Sequence, residues 1–177
     1  ISNLQKMAQT VLYVQEHGYD SYEELYKTAE SIDRKMAAAR SDARFTEVKL
    51  KEVNEQIHYL GQYLSTKSVY GDFLKSTNKK CFRQAHAEDI TKYEEARQFL
   101  KQDFLDEKFP LMKDLRDEKE LLMRTKDARY ETYHYFKERN AEIQTVLANV
   151  DSILEMEKVQ QRERQPKRKK RSYDMSL

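Results

Sequence analysis

The stretch LYKTAESIDRKMAAARSDARFTEVKLKEVNEQIHYLGQYL, residues 25–64, decides the fold. Read backwards in alternating steps of four and three, it yields Leu64, Leu60, Ile57, Val53, Leu50, Thr46, Ala43, Ala39, Met36, Ile32, Ala29 and Leu25. All of these except Thr46 are apolar, and the residues between them are mostly charged or polar. Such spacing, with no Pro to interrupt it, marks one long helix with a narrow apolar seam, the pattern of a coiled coil. A seam of this kind is covered by another helix and leaves no concave pocket for a small substrate. It points to an arm or an interaction element rather than to an enzyme.

Working outward, Ser21-x-x-Glu24 is a capping box that starts this helix at Tyr22. Continued to about Leu74, it makes a rod of roughly 75 Å at about 1.5 Å per residue. Upstream, residues 3 to 17 read as a shorter helix with Leu4, Met7, Ala8, Val11, Leu12 and Val14 on one face, and Gly18 as its stop. Downstream, Ser76-Thr77-Asn78 is a turn signal, and Ile90, Tyr93, Leu100 and Phe104 share a face of a helix over about 87–105. Phe82, Phe99 and Phe109, together with Val69, Tyr70, Phe73 and Leu74, supply an aromatic core for this region.

Pro110 fits the first position of the next helix, where its missing amide proton is not needed. That helix carries Met112, Leu115, Leu122, Tyr133, Phe136, Ile143, Leu147, Val150 and Leu154 on a second 4-3 lattice, interrupted by Lys119, Lys126, Arg129 and Asn140. The expected fold is therefore all-α, an elongated antiparallel coiled-coil hairpin of two long helices with a small helical tip at about 69–110. Closing the tip near residues 73 and 111 sets Ala39 and Ala43 opposite Ile143 and Phe136, small against large. The organisation expected is an N-terminal helix over 1–18, the hairpin over 19–158 and a disordered basic tail over 159–177.

Composition agrees with long helices: of 177 residues, 36% are charged, three are Gly and two are Pro. The single cysteine, Cys81, excludes an internal disulfide and a thiolate metal cluster and favours a reducing, cytoplasmic setting. No apolar run is long enough to span a bilayer and no signal peptide is visible, while a start at Ile1 rather than Met is the mark expected of a fragment. The formal charge of +2 hides an asymmetry. Residues 162–171 carry seven Lys or Arg and one Glu, a net of +6, which leaves the remainder at −4.

Candidate catalytic and metal sites do not survive the heptad. Glu55-x-x-His58 and Glu131-x-x-His134 have the spacing of di-metal carboxylate bundles. Ile57 and Tyr133 hold the seam positions, however, so both pairs fall on outward faces. His86-Ala87-Glu88 matches part of a zinc deaminase motif but lacks the paired cysteines that chemistry needs. Among the twelve tyrosines, Tyr130, Tyr133 and Tyr135 have no His-rich cluster near them in sequence to activate a phenol. Neither a catalytic residue nor a cofactor or metal site is expected. The one segment with evident chemistry is Arg162, Arg164, Lys167, Arg168, Lys169, Lys170 and Arg171, whose clustered cations neutralise phosphates and bind DNA without sequence preference. Pro166 to Arg171 also has the look of a nuclear import signal. The bland alternative for the whole segment is a solvated terminus.

Several runs occur in a recognisable order: Leu4 to Thr10, Val69-Tyr70, Lys79-Lys80-Cys81-Phe82, Lys108-Phe109-Pro110, and Leu147-Ala148-Asn149-Val150-Asp151-Ser152-Ile153-Leu154. With these separations the chain resembles, over most of residues 3 to 157, the C-terminal helical region of mobilisation relaxases of conjugative and mobilisable plasmids and elements. Such enzymes nick DNA at a transfer origin with a Tyr nucleophile and a His-bound metal in an N-terminal domain, and the resemblance carries neither onto this chain. It implies a non-catalytic arm that follows a nuclease domain and contacts DNA or the proteins of the conjugative transfer machinery. The competing expectation is a structural coiled-coil or scaffold protein that forms a homodimer through leftover seam surface.

Overall fold

The computed structural model describes residues 3–104 and 108–164, with side chains for 5–104 and 108–162. Helix α1 spans Asn3–Glu16, α2 Tyr22–Lys75, α3 Lys79–Ala85, α4 Ala87–Asp103 and α5 Met112–Arg164, and among the described residues there is no strand. The long helix α2 packs against α5. The chain divides into two compact units, one built from α1, α2 up to Ala37 and α5 from His134 onward, the other from Ala38–Tyr133.

In the first unit, Gly18 adopts φ 66, and Tyr19 N–H donates to Val14 O (3.1 Å) while Gly18 N–H donates to Gln15 O (3.2 Å). These two bonds close α1 with a Schellman turn, which favours glycine at the left-handed position. Glu24 N–H then donates to Ser21 Oγ (3.2 Å), and Glu24 Oε2 accepts from Asp20 N–H (3.0 Å). The capping box therefore forms with its return bond one residue early. Leu25, Ala29 and Ile32 of α2 pack with Ile143, Val146 and Leu147 of α5, and Tyr13, Val14, Tyr19 and Val150 cover them. The buried face of α1 differs from the expected one. Val11 and Leu12 are half exposed or more, Ala8 is exposed, and Met7, Thr10, Tyr13 and Val14 turn inward. Thr10 can be buried because its hydroxyl donates to Lys6 O (2.8 Å) and accepts from Asn149 Nδ2 (3.0 Å).

In the second unit, Leu60 of α2, Leu100 of α4 and Leu115 of α5 form a core joined by Ile57, Tyr59, Tyr63, Phe99, Phe104, Phe109 and Met112. Arg129 Nη1 donates to Thr46 Oγ1 (2.6 Å) and to Asp42 O (2.9 Å), and Tyr130 donates to Glu47 Oε1 (2.7 Å). With Leu60 beside Leu115 and Thr46 beside Arg129, α2 and α5 run antiparallel in this unit. Thr46, the polar residue on the α2 lattice, meets Arg129, one of the four that interrupt the α5 lattice.

Four expectations are corrected. The α2 partners of Ile143 are Leu25, Ala29 and Ile32, one heptad before the position assigned from sequence. A seven-residue slip keeps every seam position apolar, so periodicity alone does not select among registers. The tip likewise does not close at residues 73 and 111. A Cβ on Gly61 would touch Met112 Cε at 3.9 Å, so α5 begins beside the start of α2's last third. The stretch from Gln62 to Lys75 is left to pack on α3 and α4, and Leu64, counted in the seam, is 51% exposed while Thr66 is buried. Pro110 is not helical; α5 starts two residues later at Met112. Finally, α3 occupies a segment assigned no helix, because Asn78 Oδ1 accepts from Cys81 N–H (3.1 Å) and caps it. The remaining seam positions conform: Leu25, Ala29, Ile32, Ala39, Ala43, Thr46, Val53 and Leu60 are buried, and Met36, Leu50 and Ile57 are half-buried.

Stability should respond at three sites, one through packing and two through the backbone. Thr46→Val removes the side-chain acceptor of a partly buried guanidinium and should cost about 1–3 kcal/mol in urea unfolding. The double variant Thr46→Val/Arg129→Met should recover most of that loss; simple additivity would deny the coupling. Gly18→Ala meets no atom within 4 Å of the new Cβ yet must hold φ 66, so it should destabilise by about 1 kcal/mol through backbone strain alone. Gly71→Ala, in a helix interior with equally open space, should instead stabilise by about 0.5–1 kcal/mol.

Candidate nucleic-acid interface

The basic segment is reached by the end of α5. Residues 159–164, assigned from sequence to the tail, continue that helix, and Arg162 is exposed on it. Arg164 is its last residue. Lys167, Arg168, Lys169, Lys170 and Arg171 lie outside the described residues.

A second cationic region lies within the described residues and was not singled out from sequence. From Gln56 to Ala87 there is one acidic residue, Asp72, against Lys67, Lys75, Lys79, Lys80 and Arg83. Lys75, Lys79 and Lys80 are exposed at the α2–α3 corner and make no ion pair among the described residues. Arg83 is bonded to Glu94 across to α4, and its guanidinium stands 5.4 Å over the Phe73 ring. The signal that could have found this region is the long acid-poor run, which the charge balance of the whole chain conceals.

The same corner gathers aromatic rings. Tyr63 and Tyr70 each stack on Tyr93 (5.1 and 4.0 Å between centroids), and Phe109 meets Tyr63 edge-on at 5.1 Å. The row continues from Tyr70 to Phe73 (5.7 Å), Phe82 (6.3 Å) and His86 (4.4 Å). Tyr93 is buried, Tyr70, Phe73 and Phe82 are half-buried, and His86, at the junction of α3 and α4, is exposed. Burial, helped by a hydrogen bond with Tyr63, pushes the Tyr93 phenol up to about 12.

The residues weighed for catalysis are spread out. Glu55, His58, Glu131 and His134 are all exposed, and His58 Nε2 lies 3.1 Å from Gln62 Nε2. Among the described residues no group of three or more His, Cys, Asp or Glu is placed to hold a metal ion. Tyr130 is held by Glu47, whose hydrogen bond raises the phenol's pKa, and Tyr133 is half-buried. Such a shift keeps the phenol protonated, the opposite of what a Tyr nucleophile requires. Among the described residues no helix is long and apolar enough to cross a membrane.

The Tyr93 phenol has its folded pKa above the unfolded value near 10. Its neutral form therefore contributes stability in full below pH 10, and that contribution is lost as pH rises from 10 towards 12. Thermal melts over this range should fall less steeply for Tyr93→Phe than for the parent chain. Parallel curves would show that Tyr93 ionises alike in both states.

No family model, curated protein or solved structure matches this chain.

Proposed function

We propose that this chain is the non-catalytic C-terminal helical arm of a DNA-mobilisation relaxase, working in the cytoplasm and holding DNA beyond the nick, or the transfer proteins that recruit the enzyme. The observation that carries this reading is the ordered set of local runs, from Leu4–Thr10 through Lys79-Lys80-Cys81-Phe82 to Leu147–Leu154, spread along helices α1 to α5. In this reading α2 and α5 form one antiparallel coiled-coil hairpin, with α3 and α4 as its helical tip. The cations at 162–171 begin in the last turn of α5 and supply phosphate contacts. Candidate acid, base and metal-binding groups are exposed and scattered along the helices, an arrangement suited to solvation rather than to chemistry.

A structural coiled-coil dimer is the second reading. It draws on exposed Phe45 and Val48, which lie three residues apart on α2 at 60% and 55% exposure. Sedimentation that stays monomeric across a wide concentration range removes it.

Two measurements test the arm. Purified chain with Mg²⁺ or Mn²⁺ should not relax supercoiled plasmid, and metal-dependent relaxation lost on mutating one Tyr would overturn the non-catalytic assignment. Duplex DNA should bind with little sequence preference. With roughly four to six phosphates neutralised at about 0.9 each on the log–log salt slope, affinity should drop by about two to three orders of magnitude between 50 and 200 mM salt. Deleting residues 162–177 should remove most of that duplex affinity and leave helix content nearly unchanged. Equal duplex binding by the truncated chain would reduce the segment to a solvated terminus.

A further inference from the structure

Three features coincide at the α2–α3 corner. Lys75, Lys79 and Lys80 are exposed and free of ion pairs among the described residues, in a stretch where Asp72 is the lone acid between Glu55 and Glu88. Lys79, Phe82 and His86 fall three and four residues apart, on one side of α3 and its end. The ring row Tyr70–Phe73–Phe82–His86 ends in the exposed imidazole at the C-terminal end of α3, two turns from Lys79 at its start.

Cations alone serve any polyanion, whether an acidic protein or a nucleic acid. Rings interleaved with cations favour a partner that has both phosphates and flat π-faces available. In a duplex the base faces are stacked inside, whereas in a single strand they are free to stack on side chains. We infer that the α2–α3 corner is a contact surface for single-stranded nucleic acid, with Lys75, Lys79 and Lys80 taking phosphates and Phe82 and His86 receiving bases. This deepens the proposed DNA role by adding a single-strand contact, separate from the cations at 162–171.

The native thiol provides a reporter. Cys81 is exposed between Lys80 and Phe82, so the full chain takes an environment-sensitive maleimide dye there without substitution. Oligo-dT should shift the dye's emission more strongly than a duplex of equal length, and the shift should persist after deletion of residues 162–177. Anisotropy of labelled oligo-dT with unlabelled protein gives the affinity. The variant Lys75→Gln/Lys79→Gln/Lys80→Gln should bind about tenfold more weakly and lower the salt slope by about 2, three phosphates at about 0.7 each on a single strand. His86→Ala, at an exposed position, should weaken oligo-dT at least about fivefold, the low end for loss of one stacked base, with circular dichroism unchanged. Polyglutamate that displaces oligo-dT at equal charge concentration would overturn the assignment in favour of an acidic protein partner. A silent Cys81 dye, with triple-variant affinity unchanged while duplex still binds, would overturn this inference and leave the arm reading standing. Loss of all nucleic-acid binding at low salt would overturn both.

Discussion

The partly buried polar contact that selects the register of α2 on α5 in the second unit is the Arg129 guanidinium bonded to Thr46 Oγ1 and Asp42 O. An apolar seam with a seven-residue repeat is nearly indifferent to a slip of one heptad, since Leu, Val and Ala replace one another at the same positions. The clasp is not indifferent. Moved by one heptad, Arg129 would face Ala39 or Val53 and lose the hydroxyl, a hydrogen bond to a charged group worth about 1.5–3 kcal/mol. Holding that register sets the start of α5 beside Gly61 and frees the stretch from Gln62 to Lys75 for another partner.

That freed stretch explains why the tip has a core of its own. With α5 absent beyond Met112, α4 covers α2 instead, burying Ile90, Tyr93, Ala96 and Leu100. Aromatic residues fill the space, and Tyr59 stacks on Phe99 at 4.1 Å while Tyr63 and Tyr70 flank Tyr93. The rings that are not fully covered belong to the same acid-poor stretch of sequence as Lys75, Lys79 and Lys80. The apolar packing and the positive surface thus share the same short helices, so a contact surface arises on a rigid support.

The first unit uses polar side chains for the same purpose at a smaller scale. Asn149 reaches Thr10 of α1, and Asn140 reaches Asp33 at 3.3 Å and Met36 Sδ at 3.8 Å on α2. Asn140 interrupts the apolar lattice of α5, and the amide nitrogens of both asparagines find a partner on another helix, while Asn140 Oδ1 stays buried with no hydrogen-bond partner among the described residues. Buried polar groups without such partners would cost more than they contribute.

Helix type, the long α2 and α5, the Gly18 stop, the Ser21 cap and most of the α2 seam were legible in the sequence. Each is a local matter of spacing, backbone freedom or a side chain meeting an amide a few residues away. The outward placement of Glu55, His58, Glu131 and His134 was legible for the same reason. The tertiary structure alone decided which heptad of α2 meets which of α5, the inward turn of Thr10 and Tyr13 in place of Val11 and Leu12, and the exposure of Leu64. These depend on partners far away in the chain, Asn149 for Thr10 and Arg129 for Thr46, whose hydrogen bonds override the apolar pattern. The joining of the acid-poor stretch to a ring row was likewise hidden, because the rings come from three helices and meet only when α4 folds back on α2.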